Sequence, residues 1–143
     1  MPRQTIHSDS APKAIGPYSQ AVRCGSLLFF SGQTPIDPAT GKLVGGDISE
    51  QARRVFENLK AVCAAAGGSF DQVVRVGIYL TDLSTFAAVN AVMKEHFREP
   101  FPARSTIGVA SLPLNHVARS NSMHGQFPKP ICEAAENYFE PRE

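Results

Sequence analysis

An apolar stripe between Ile48 and Ala66 constrains this chain more than any other feature. Ile48, Ala52, Val55, Leu59, Val62 and Ala66 recur at helical spacing and define one face of a helix starting near Asp47–Ser49. Gly67 and Gly68 end it, because glycine adopts the left-handed conformation that closes a helix. A second stripe of Phe86, Val89, Met93 and Phe97 follows, with Asp82 or Ser84 as its cap and Pro100 and Pro102 as its stop. Two such helices need a common apolar surface to cover them.

Strand-like segments supply that surface. Residues 4–7 read as a short edge strand, and residues 18–23 and 27–31 as two strands joined by a tight turn at Gly25–Ser26. Residues 32–46 hold Pro35, Pro38, Gly41, Gly45 and Gly46 and read as a loop. In residues 73–80, Val74, Val76, Ile78 and Leu80 alternate with Arg75, Gly77 and Tyr79. Residues 103–109 form another strand, closed by Leu112–Pro113. The order is β-β-β-α-β-α-β, and the simplest architecture is an α+β fold with two helices on one face of a mixed sheet.

The chain has 143 residues, 43% hydrophobic and 19% charged, with a net charge of +1. This predicts one domain over residues 1–127 with an atypical tail at 128–143. The near-neutral charge gives no reason to expect nucleic acid or an acidic membrane as partner. No apolar run is long enough for a membrane helix, and residues 1–10 lack a signal-peptide core, so a cytoplasmic location is expected. Cys24, Cys63 and Cys132 match no metal spacing, and His7, His96, His116 and His124 share no paired spacing. Neither a metal nor a cofactor is expected; no glycine-rich phosphate loop follows a strand.

Three motifs stand in order: Gly16-Pro17-Tyr18-Ser19-Gln20, Ser31-Gly32-Gln33 and Phe101-Pro102-Ala103-Arg104-Ser105. A weaker element is Phe86 to Asn90 on the second helix. In these motifs the chain resembles the Rid family (reactive intermediate deaminases, also called YjgF-like) over residues 11–115. The resemblance implies a chorismate-mutase-like fold and a homotrimer with inter-subunit clefts. It also implies hydrolysis of 2-imino acids, or their enamine tautomers such as 2-aminoacrylate, to 2-keto acids and ammonia.

Such a substrate carries a carboxylate beside an electrophilic carbon. The site needs a clamp, a positioned water and a proton route. Arg104 fits the clamp, since a guanidinium fork grips a carboxylate bidentately where lysine cannot. Taken alone, it would read as a surface arginine in an ion pair. Tyr18 and Ser31 offer hydroxyls to water or the leaving nitrogen, although an isolated tyrosine is more often a packing residue. Gly32 lets backbone approach a ligand closely, or simply makes a turn. Asn90, among apolar helix positions, donates to a ligand from a neighbouring subunit or bonds backbone. Thr106 stands where many family members carry cysteine, and its backbone groups can contact the carboxylate. Two other readings compete: a non-catalytic member that binds small carboxylates or partner proteins, and a ribonuclease. The last is weakest, because no basic, aromatic-interleaved pattern is present to hold RNA.

The resemblance stops at Asn115. The family then has a strand inside the sheet, bearing a glutamate that orients the attacking water. Here residues 116–128 have poor strand propensity, and Pro128, Pro130 and Pro141 oppose a central strand further on. Glu133, Glu136, Glu140 and Glu143 lie too far along to replace the glutamate. Loss of a positioned acid–base group costs about 10²–10⁴ in rate, so weakened turnover is expected. Residues 116–127 are expected to fill the slot as a poor strand, with a helical turn at 133–138. A frameshift explains the abrupt change: one encoding of Arg119 to Pro128, read in the neighbouring frame, gives Ile-Glu-Phe-Asp-Ala-Trp-Ala-Val-Ser. Sequencing the gene is expected to show that a single indel near codons 115–119 restores an alternating, glutamate-bearing strand; if none does, the frameshift is excluded.

Overall fold

The computed structural model describes residues 2–112 and the backbone of residues 122–128. Six strands form one sheet: β1 (Arg3–Ile6), β2 (Ala21–Cys24), β3 (Leu27–Phe30), β4 (Arg75–Leu80), β5 (Ala103–Gly108) and β6 (Ser122–Pro128). Helix α1 (Ile48–Ala65) connects β3 to β4, and α2 (Phe86–His96) connects β4 to β5. The strand order is β1-β2-β3-β6-β4-β5. Only β4 and β5 pair in parallel; every other neighbour is antiparallel, so the sheet is mixed.

The α1 crossover skips one strand position, and β6 fills it. Leu28 pairs with Phe127 on one side of β6, and Val76 pairs with Gly125 on the other. A central strand thus forms from a sequence of poor propensity, because both neighbours offer unpaired backbone groups. Each such group left buried and unpaired costs about 1–3 kcal/mol. Pro128 is tolerated at the end of the strand, where the ladder stops. The expected helical turn at residues 133–138 lies outside the described residues, as do residues 113–121.

The core lies between the sheet and the two helices. Leu28, Phe30, Val76, Ile78 and Leu80 meet Val55, Phe56, Leu59 and Val62 of α1 and Val89, Val92 and Met93 of α2. Burying each large side chain contributes about 1.5–3 kcal/mol. Asp47 caps α1 in a reciprocal box with Glu50, whose carboxylate returns to the Asp47 N–H. Gly46 makes that box possible. Its φ is +92°, and a Cβ there would sit 1.6 Å from Glu50 Oε2. Gly67 ends the helix at φ +73°, as the glycine pair predicted.

Several boundaries differ from the sequence reading. The first strand covers Arg3–Ile6 rather than 4–7. The second begins at Ala21 rather than Tyr18, because Gly16 to Tyr18 turns back on itself through a Tyr18 N–H bond to Gly16 O at 2.8 Å. Val74 is exposed and precedes β4. Asp82 caps a short 3-10 turn at Leu83–Thr85 that leads into α2, not α2 itself. Phe86 is 37% exposed rather than part of the buried stripe, and Val92 takes its place.

Gln20, the last residue of the first motif, explains the turn. It is 2% exposed, and its side chain accepts from Ser8 N–H at 2.6 Å while donating to Ser8 O at 3.1 Å and Pro12 O at 2.8 Å. One amide thereby fixes the course of the chain from Ser8 to Pro12 against β2. Gln20→Ala is expected to lower stability by about 3 kcal/mol, since it orphans buried backbone groups; urea unfolding measures it, and a loss below about 0.5 kcal/mol would contradict this role.

Candidate functional site

The strand register sorts side chains to two faces. Arg104, Thr106 and Gly108 of β5 lie opposite Val76, Ile78 and Leu80 of β4, so they share the helix-covered face. In β4 that row is buried; in β5, at the sheet edge, Arg104 is exposed and Thr106 half-buried. The motif Phe101-Pro102-Ala103-Arg104-Ser105 thus sets its arginine at the start of an edge strand, facing α2.

Three residues of α2, one turn apart along one face, hold the guanidinium. Nη1 of Arg104 donates to Asn90 Oδ1 and lies 3.6 Å from Met93 Sδ. The guanidinium carbon sits 5.0 Å from the centre of the Phe86 ring. All three partners are uncharged, and among the described residues Arg104 pairs with no carboxylate. An exposed arginine on α1 behaves differently: Arg53 forms a two-pronged bond to Glu95 at 2.8 and 2.9 Å. That pairing draws the Glu95 carboxyl below its usual range, chiefly through the Arg53 hydrogen bond. Arg104 is held in place with its charge left over for an anion.

Thr106 follows on the same row. Its hydroxyl is buried and has no hydrogen-bond partner among the described residues. Beyond it, Leu83 rests on Gly108; a Cβ on that glycine would approach Leu83 Cδ1 to 3.0 Å. Leu83 is 54% exposed.

Tyr18, Ser31 and Gly32 gather elsewhere. Ser31 follows β3, its N–H bonding Gln20 O at 3.0 Å, and its Oγ donates to Ser19 O at 2.6 Å. With its proton so placed, Ser31 can only accept from a ligand. Tyr18 is 49% exposed, and its hydroxyl accepts from Ile15 N–H at 3.4 Å, leaving the phenolic proton to donate outward. Phe29, Gln126, Arg75 and Ala103 form one row across the sheet, which places Ser31 and Arg104 near the same level. They are three strand spacings apart, about 14 Å. One chain therefore brings Arg104 and Asn90 together with Thr106 on the same row, and ties Ser31 to Ser19, the neighbour of Tyr18, but does not join the two groups.

The sequence reading missed Phe86 and Met93 as partners of Arg104. Their signal was the polar Asn90 between apolar positions on the same helical face. Cys63 offers no nucleophile: burial pushes its thiol up to about 12.

The chain matches the family described as Endoribonuclease L-PSP over residues 8–118, and it belongs to that family, the Rid/YjgF proteins. It is 57% identical to protein DfrA of Myxococcus xanthus over 115 residues, 79% of this chain and 88% of the relative. A 2-iminobutanoate/2-iminopropanoate deaminase of Dermatophagoides farinae is 46% identical over 114 residues, 80% of this chain and 89% of the relative. Among solved structures, RidA of an Antarctic Psychrobacter superposes with a TM-score of 0.82 at 44% identity, covering 88% of this chain and 99% of that one. That coverage is more than residues 1–118 can supply, so the structural likeness continues into β6 where the family match has ended. No helix among the described residues is long and apolar enough to cross a membrane.

The unpartnered Thr106 hydroxyl yields a stability prediction. Thr106→Val replaces it with an isosteric methyl and is expected to stabilise the free protein by about 1 kcal/mol. Chemical denaturation without ligand checks this; a loss of stability would mean that the hydroxyl has a structural partner.

Proposed function

We propose that this protein is a hydrolytic deaminase of 2-imino acids and their enamine tautomers, releasing 2-keto acids and ammonia. The observation that carries the reading is Arg104, held by Asn90, Met93 and Phe86 with no carboxylate partner among the described residues. A substrate carboxylate supplies the missing anion, and the planar fork fixes its orientation. The named activity of the mite relative, at 46% identity, favours the same chemistry.

The residues divide the work by what each can donate or accept. Arg104 clamps the carboxylate, Asn90 holds the guanidinium, and backbone groups of Thr106 contact the carboxylate beside it. Water bonds through oxygen to C2 while the C=N electron pair moves to nitrogen, which takes a proton. The carbinolamine then expels ammonia as its hydroxyl loses a proton. The sum is imine plus water to ketone plus ammonia, with no redox change. Tyr18 has a proton to give to the departing nitrogen or to water, Ser31 has lone pairs to accept from water, and the backbone at Gly32 allows close approach.

Because Ser31 lies about 14 Å from Arg104 across the sheet, and Tyr18 leads into β2, one strand further away, we place the complete site between subunits of a homotrimer. The sheet face away from the helices carries Val22, Leu27, Phe29, Tyr79 and Ile107, an apolar surface suited to covering by further copies. A second reading, a carboxylate-binding member without turnover, is favoured by the departure of the sequence after Asn115, where the family's glutamate is missing.

A coupled assay tests these readings. Freshly generated 2-aminoacrylate is expected to yield ammonia and pyruvate, with kcat/KM lowered about 10–100-fold by Arg104→Ala, as for loss of a charged hydrogen bond. Equal rates in wild type and variant would sink the catalytic reading, and Arg104-dependent binding of pyruvate without turnover would establish the second.

A further inference from the structure

The three cysteines differ in what they can reach. Cys63 lies in the core, 1% exposed, and stays a thiol because of its burial. Cys24 is half-buried at the end of β2. Its cross-strand partner is Leu27, whereas the next pair, Arg23 and Leu28, faces the core. By alternation Cys24 lies on the sheet face away from the helices, and the sheet stands between it and Cys63. Cys132 belongs to the segment that follows β6.

The register of β6 delivers that segment to Cys24. Pro128, the last residue of β6, pairs with Leu27, and Leu27 pairs with Cys24. Pro128 and Cys24 thus stand at one level, two strand spacings or about 10 Å apart. β6 is antiparallel to β3, so the chain leaves it beside the β2–β3 turn that Cys24 adjoins. Cys132 lies four residues further on. Lys129 precedes Pro130, a pairing that favours extended backbone, so these four steps cover about 12–13 Å. A disulfide needs Cα atoms about 4–7 Å apart, and the chain is long enough to bring Cys132 there. Charge favours the approach. Arg3, opposite Cys24, and Arg23, beside it, line a cleft of about 340 Å³ with Pro2, Gln4 and Gly25. Neither arginine pairs with a carboxylate among the described residues. Residues 129–143 carry Glu133, Glu136, Glu140 and Glu143 against Lys129 and Arg142, and Glu133 adjoins Cys132.

We propose that Cys24 and Cys132 form a redox-responsive disulfide that ties the end of β6 to the β2–β3 hairpin. With hydrogen peroxide as oxidant, one thiolate attacks an oxygen of the peroxide and becomes a sulfenic acid, releasing water. The second thiolate attacks that sulfur, forming the S–S bond and expelling hydroxide, which takes up a proton. The sum is two thiols plus peroxide to one disulfide plus two waters. The bond closes a long loop around β6, the strand of poorest propensity, and so restricts the unfolded chain. The proposal is independent of the deaminase reading.

The test treats the reduced full chain with hydrogen peroxide and maps its peptides by mass spectrometry without reduction. A Cys24–Cys132 linked peptide is expected from protein that runs as a single chain in denaturing gels, with Cys63 alkylated only after unfolding. Oxidised wild type is expected to melt about 5 °C or more above the reduced form. Cys24→Ser and Cys132→Ser, which both keep Cys63, are expected to show no such rise. Absence of the linked peptide, linkage between two chains only, or a bond that involves Cys63 overturns the proposal. A Cys24–Cys132 bond that leaves the melting temperature unchanged overturns its role in securing β6.

Discussion

The sheet depends on backbone pairing in the slot between β3 and β4. The α1 crossover carries the chain past one strand position, leaving β3 and β4 with facing rows of donors and acceptors. β6 satisfies both rows. Peptide groups are the same in every residue, so the slot accepts a segment rich in Ser, His, Gly and Gln that isolated propensity would reject. The similarity to RidA over nearly its whole length, beyond the end of the family match, follows from this. Side-chain chemistry has no such freedom: a strand can be replaced in backbone terms while the side chains it would carry are not.

The site depends on a second consequence of sheet geometry. Alternation that buries Val76 and Ile78 in β4 places Arg104 and Thr106 opposite them in β5. At the sheet edge, that row meets only one helix and stays partly open. A buried arginine would need a carboxylate to offset its desolvation. An edge arginine can instead be steadied by an amide, a thioether and an aromatic face, none of which neutralises it. Its charge is therefore available to an incoming anion, and its direction is set before the anion arrives, which limits the ordering cost of binding.

Much of this was legible from sequence, for reasons that differ by element. The stripe from Ile48 to Ala66 was plain because its period, glycine stop and length agree. Tyr18 misled, because its strand propensity loses to the hydrogen bonds that Gln20 makes back to Ser8 and Pro12, which no local pattern encodes. Phe86 misled for another reason. Its spacing matches the buried stripe of α2, but that face of the helix overlies an edge strand, and periodicity does not report which strand lies beneath. Asn90 was visible as a polar residue in an apolar setting. Its partner Arg104 lies in a different element, so their pairing required the fold. The gap between Arg104 and Tyr18 could not be read at all, because motif order along the chain does not reveal that β3, β6 and β4 stand between them.

That gap bears on how the motifs should be understood. The first motif is partly structural: Gln20 anchors residues 8–12 and thereby presents Tyr18 outward, while Ser31 ties its own proton to Ser19. The third motif is mostly chemical, placing Arg104 beside α2. Each cluster is ordered within one chain by contacts that persist without a ligand. Each also retains unused capacity: a phenolic proton at Tyr18, lone pairs at Ser31 and a charge at Arg104 that no carboxylate among the described residues compensates. Donor and acceptor capacities are complementary between the clusters, but the sheet holds them too far apart to satisfy one another. Within one chain, therefore, these groups do not neutralise one another and stay polar.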